Sequence, residues 1–132
     1  MDGIRSEKSK NCLVSDKKNI LVIDEDLMVR ETLSYALEDD GFQAFPAANR
    51  QEAVSHIGNR RIHVLLMDAN SRLENALETI DCLTALQPNL RVIAMTSRSE
   101  REVTDRSPSR YNALFEKPLD LPCLVATIRR IV

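Results

Sequence analysis

The chain has 132 residues, 43% of them hydrophobic, and a formal net charge of -2. That length suits one domain able to bury an ordinary core, and without a basic excess direct nucleic-acid binding is not expected. No apolar run approaches the ~18 residues of a membrane span, and no apolar core marks a signal peptide at the start.

Residues 1–18 are polar and charged without helical or alternating pattern, and read as a flexible leader ahead of a domain over 19–132. Ile20–Ile23 is a continuous, β-branched apolar run, as expected of a strand covered on both faces. Asp26 to Asp40 follows helical spacing, with Val29, Leu33, Tyr35, Ala36 and Leu37 on one side, and Gly41 closes it. "FQAFPA" alternates briefly and contains Pro46, which predicts an edge strand. A short helix runs from Asn49 to Gly58. Ile62–Met67 predicts a strand, Ala76–Leu86 a helix ended by Pro88, Leu90–Met95 a strand and Ala113–Phe115 a short one. Asp120–Val132 is a last helix with Leu121, Leu124, Val125, Ile128 and Ile131 or Val132 on its apolar face. Asp120 is placed as its N-cap, and Pro122 is tolerated in the first turn.

Strands alternating with helices at this spacing predict crossover units: an α/β fold with a five-stranded parallel sheet and about five helices on both faces. The stretch "SRSEREVTDRSPSRYN" (97–112) fits less well, because it has few apolar residues and contains Pro108. A short, weakly anchored helix or an irregular segment is expected there. Cys12, Cys82 and Cys123 are widely spaced and show neither CxxC nor a disulfide framework, which agrees with a reducing, cytoplasmic setting. Cys82 and Cys123 read as small apolar residues, Cys12 as exposed.

Ligands of an open parallel sheet bind beyond the carboxyl ends of its strands. The first strand delivers Asp24 and Glu25 there, the third Asp68 and the fourth Thr96, and Lys117 follows the fifth. Carboxylates ~4 Å apart at an effective dielectric near 20 cost about 4 kcal/mol per pair before screening. A hard divalent cation removes that cost, and oxygen-only ligands suit Mg²⁺, or Mn²⁺, better than zinc. Metal, lysine and hydroxyl together make a cradle for a phosphoryl group, with a carboxylate as nucleophile. His56 and His63 match no ligand pattern and read as structural or exposed. The arginines between Arg98 and Arg110 are interleaved with acids and read as a solvated face.

"ILVIDEDLMVRETLSYALEDDGF", "VLLMDAN", "VIAMTS" and "FEKPL", in this order and at these spacings, resemble the receiver domain of bacterial two-component response regulators from about Asn19 to Val132. The resemblance implies a doubly wound, flavodoxin-like sheet of order 2-1-3-4-5, an order carried over from the family and not read from periodicity. It also implies that Asp68 is the phosphoacceptor. Asp24, Glu25, Asp68 and the backbone carbonyl of Asn70 would bind Mg²⁺, Thr96 would be the switch hydroxyl, and Lys117 would pair with the phosphoryl group. Thr96 also suits a helix N-cap. The implied partners are a sensor histidine kinase or phosphotransfer protein and an output domain or downstream protein, with a homodimer through the fourth helix, fifth strand and fifth helix. Such a domain is a signalling switch and not a metabolic enzyme. No DNA-binding segment follows the last helix, so the domain either works alone or belongs to a longer regulator.

The chain departs from the family pattern at several places. Arg72 stands where a proline is usual, Ala76 where a glycine is usual, and Leu114 at the position of the aromatic switch, with Tyr111 and Phe115 out of register. Asn70 and Arg98 match positions that tune how long the phosphoryl group survives. Leu114 and the irregular 97–112 stretch favour a rival reading, an interaction module of the same fold that takes no phosphoryl group. A phosphohydrolase would want an acid two residues after Asp68, and Asn70 is there instead.

Overall fold

The computed structural model describes residues 17–69, 73–97 and 111–132. Five strands form one sheet: β1 (Asn19–Ile23), β2 (Gln43–Ala47), β3 (Val64–Asp68), β4 (Arg91–Thr96) and β5 (Ala113–Glu116). Every neighbouring pair is parallel, and the order is β2-β1-β3-β4-β5, as the resemblance implies. Pro46 lies on β2, an edge strand, where a missing amide disturbs least.

Four helices are present among the described residues: α1 (Leu27–Asp39), α2 (Arg50–Asn59), α3 (Leu73–Leu86) and α4 (Leu121–Ile131). The further helix expected within 97–112 falls almost wholly outside the described residues, as do the leader through residue 16, Cys12, Asn70, Arg72 and Arg98. Among the described residues no helix is long and apolar enough to cross a membrane.

Strand alternation divides the core in two. Leu21 and Ile23, Leu65 and Met67, Val92 and Ala94 face Ala53 and Ile57 of α2 and Ala76, Ile80 and Leu83 of α3. Ile20 and Val22, Val64 and Leu66, Ile93 and Met95 face Leu33 and Leu37 of α1 and Leu124, Val125 and Ile128 of α4. Each fully buried Leu or Ile contributes about 1.5–3 kcal/mol, so both faces hold the sheet firmly.

The helix ends carry their own signals. Asp26 caps α1, its carboxylate accepting from the Met28 and Val29 amides. At the other end the Gly41 amide donates to Glu38 and the Phe42 amide to Leu37, a Schellman closure that needs the positive φ of 94° at Gly41. Asn49 caps α2 by accepting from Glu52, while the Glu52 carboxylate reaches back to the Ala48 amide. Asp120 caps α4 through the Cys123 amide.

Several expectations are corrected. Tyr35 is 80% exposed and lies off the apolar side of α1, because residues two apart on a helix point roughly 200° away from each other. Helix α3 begins at Leu73, three residues before Ala76; Glu74 and Asn75 interrupt the apolar pattern that marks the rest of the helix. Ile131, not Val132, completes the buried stripe of α4. Cys123 is exposed rather than buried, Cys82 is half-buried, and both are free thiols.

Candidate functional site

Register alone brings the singled-out residues to one rim. Ile23 pairs with Met67, so Asp24 and Asp68 follow at the same level; Asp68 pairs with Met95, and Thr96 with Glu116. Thr96 and Lys117 therefore lie just beyond, tied by the Lys117 amide donating to the Thr96 carbonyl at 2.8 Å. The Lys117–Pro118 peptide is cis.

Asp24 is only 2% exposed, an unusual place for a carboxylate. Its Oδ1 accepts from the Asp26 amide at 2.9 Å and its Oδ2 lies 3.2 Å from Lys117 Nζ. The same ammonium stands 3.5 Å from Asp68 Oδ1. One lysine thus joins the ends of β1, β3 and β5. Thr96 is fully buried at the end of β4.

A cleft of about 260 Å³ opens over the two aspartates, lined by Asp24, Glu25, Ala48, Asn49, Arg50, Asp68, Ala76 and Thr79. Glu25 is exposed at its edge, and its backbone carbonyl, like that of Asp24, accepts from Arg30 Nη1. Among the described residues no three acidic, histidine or cysteine side chains converge as a ready metal shell. The structure brings Asp24, Asp68 and Lys117 together, sets Glu25 on the same cleft, and leaves Asn70 outside the described residues. Sequence reading passed over Arg50 and Thr79, which only the packing of α2 against α3 reveals as cleft walls.

Both histidines are structural. His63 Nδ1 accepts from the Asn19 amide, and His56 Nε2 meets the Pro46 carbonyl at 3.0 Å. Leu114 packs in the core between the sheet and α2 and α3, and Phe115 in the other.

A doubly wound sheet with one buried and one half-buried aspartate and a lysine at its carboxyl rim defines a class, and comparison with known proteins places the chain within it. Residues 20–129 match the response regulator receiver domain, and the chain belongs to that family. It is 28% identical over 106 residues to "Sporulation initiation phosphotransferase F" of Bacillus subtilis, covering 79% of this chain and 85% of that protein. To the "DNA-binding transcriptional regulator NtrC" of Azospirillum brasilense it is 27% identical over 84% of this chain but only 23% of that protein. Among solved structures it resembles a Burkholderia pseudomallei response regulator "with a phosphorylated aspartic acid, calcium ion and citrate" (TM-score 0.75, 25% identity, 85% of this chain and 66% of that one). The chemotaxis response regulator CheY4 of Vibrio cholerae shares the fold at TM-score 0.79 and 19% identity, covering 88% of this chain and 99% of that one.

Proposed function

We propose that this domain takes a phosphoryl group onto Asp68 from a phosphohistidine of a sensor kinase or phosphotransfer protein, and that the charged state changes which protein it binds. The observation that carries the reading is the Lys117 ammonium shared by Asp24 and Asp68 beneath an open cleft. The phosphorylated aspartate and calcium ion of the Burkholderia relative support it. In the transfer, an Asp68 oxygen attacks phosphorus as the N–P bond breaks, and the bonding pair returns to the imidazole. The product is an acyl phosphate. Lys117 leaves its carboxylate partners for a phosphoryl oxygen, and the Thr96 hydroxyl donates to another. Since both side chains lie at the ends of β4 and β5, their inward pull biases the segment between those strands.

The donor set fits a hard cation: the available oxygens are carboxylates, and the exposed Glu25 lines the same cleft as Asp24 and Asp68. Asp24, Glu25, Asp68 and the Asn70 carbonyl would hold Mg²⁺, or Mn²⁺, which when bound neutralises the charge gathering on the transferred group. Acetyl phosphate with Mg²⁺ is expected to add one phosphoryl mass to the native protein and none to Asp68→Asn; no uptake by either ends the proposal.

A second reading, an interaction module without phosphorylation, is favoured by Leu114 and by the lack of a ready three-carboxylate shell among the described residues. A saturable Mg²⁺ titration of the apo protein removes it.

A further inference from the structure

The cleft has a second cation that the phosphoryl chemistry above does not use. Arg50, the first residue of α2, lines the same cavity as Asp24, Glu25 and Asp68. Its Nε donates to Thr79 Oγ1 at 3.1 Å, and its Nη2 lies 3.3 Å from Glu78 Oε1. Thr79 is itself a wall of the cleft and only 5% exposed. This pins the planar head of a long side chain against α3, at the mouth of the site, where a freely rotating arginine would spend its time in solvent. Arg50 is otherwise 44% exposed, so the bridge to Glu78 alone contributes little.

We infer that Arg50 sets the charge preference of the cleft, weakening the divalent cation while drawing in phosphodonors of higher negative charge. The inference rests on the proposed phosphoryl transfer. Electrostatics gives the two effects opposite signs. A fixed positive charge on the cavity wall raises the free energy of a bound 2+ ion and lowers that of an incoming phosphoryl dianion. If Arg50 merely braces α2 against α3, its loss loosens the cleft and weakens both ligands together. The signs therefore separate the two roles.

The test uses the full chain and the variants Arg50→Gln and Arg50→Lys, with circular dichroism confirming that each folds. Mg²⁺ affinity is read from amide NMR shifts, and donor KM from Asp68 phosphorylation by acetyl phosphate and by the less negative phosphoramidate. For Arg50→Gln the Mg²⁺ Kd is expected to fall about threefold to tenfold, as the loss of one charge within a screening length implies. Its KM should rise for acetyl phosphate and rise less for phosphoramidate. Arg50→Lys, which keeps the charge but not the fork that holds Thr79, should return both constants toward wild type. If wild type responds to both ligands while Arg50→Gln shifts the two constants the same way, or neither, the role assigned to Arg50 is wrong. If wild type binds no Mg²⁺ and takes no phosphoryl group, the phosphoryl-transfer reading falls, and Arg50's role with it.

Discussion

The two rims of the sheet put polar side chains to opposite uses. At the amino rim, Gln87 donates to the carbonyls of Ile57 and Arg60 and accepts from the Ile62 amide, stitching the end of α2 to the approach of β3. Asn112 accepts from Val92, Asn19 Nδ2 donates to the Arg61 carbonyl, and His63 accepts from Asn19. These groups complete backbone hydrogen bonds that the strand ends would otherwise leave open. At the carboxyl rim, Asp24 and Asp68 instead share one ammonium and face a cleft. Polar groups at the amino rim thus chiefly complete the backbone, while at the carboxyl rim two carboxylates crowd on one ammonium, the arrangement the proposed phosphoryl chemistry would use.

Substitutions at the two rims should have opposite effects. The largest effect is expected at Asp68→Asn, which should abolish phosphoryl uptake yet leave the thermal midpoint at or above that of wild type. Removing one of two carboxylates that compete for Lys117 relieves repulsion. A large loss of stability, followed by thermal denaturation, would mean that the carboxyl rim is structural after all.

Gln87→Ala should do the reverse. It removes three hydrogen bonds and strands partly buried backbone groups, at a cost of about 1–3 kcal/mol. Chemical denaturation should show that loss, while phosphoryl uptake at saturating donor is unchanged. Gly41→Ala, on the same rim at the end of α1, should cost about 1–2 kcal/mol through the strain of a side chain at positive φ. Nothing lies within 4 Å of the added methyl, so sterics add no further cost.

Much of this division was legible in the sequence. The apolar runs marked the strands because both faces of a parallel sheet are buried, and a carboxylate closing two such runs marked the rim where Asp24, Asp68 and Lys117 meet. Strand order needed the family motifs as well. What stayed hidden depends on contacts between distant segments. Arg50 reads as an ordinary exposed helix residue until Thr79, 29 positions on, is found beside it. Gln87 lies between a helix end and a proline, with no periodicity to single it out. Tyr35 misled because its ring is apolar by composition, although helical geometry turns it away from Leu33 and Leu37.

The smallest expected effect sharpens the amino rim further. Because His63 Nδ1 accepts the Asn19 amide, the ring there must be unprotonated. Burial, and then the charges of Arg61 and Lys18, hold its pKa below the ordinary 6.5. Between that lowered value and 6.5 the unfolded chain binds more protons than the folded one, so stability rises with pH through the window and levels off above it. Acidification below about pH 6.5 should therefore destabilise wild type more than His63→Gln, whose amide oxygen can still accept from Asn19 without titrating. Denaturant midpoints measured at several pH values between about 7.5 and 5.5 would show the two proteins diverging on the acid side, and parallel curves would refute it. Arg61→Gln should narrow the divergence only in part, because desolvation, the leading cause, persists when the neighbouring charge is gone.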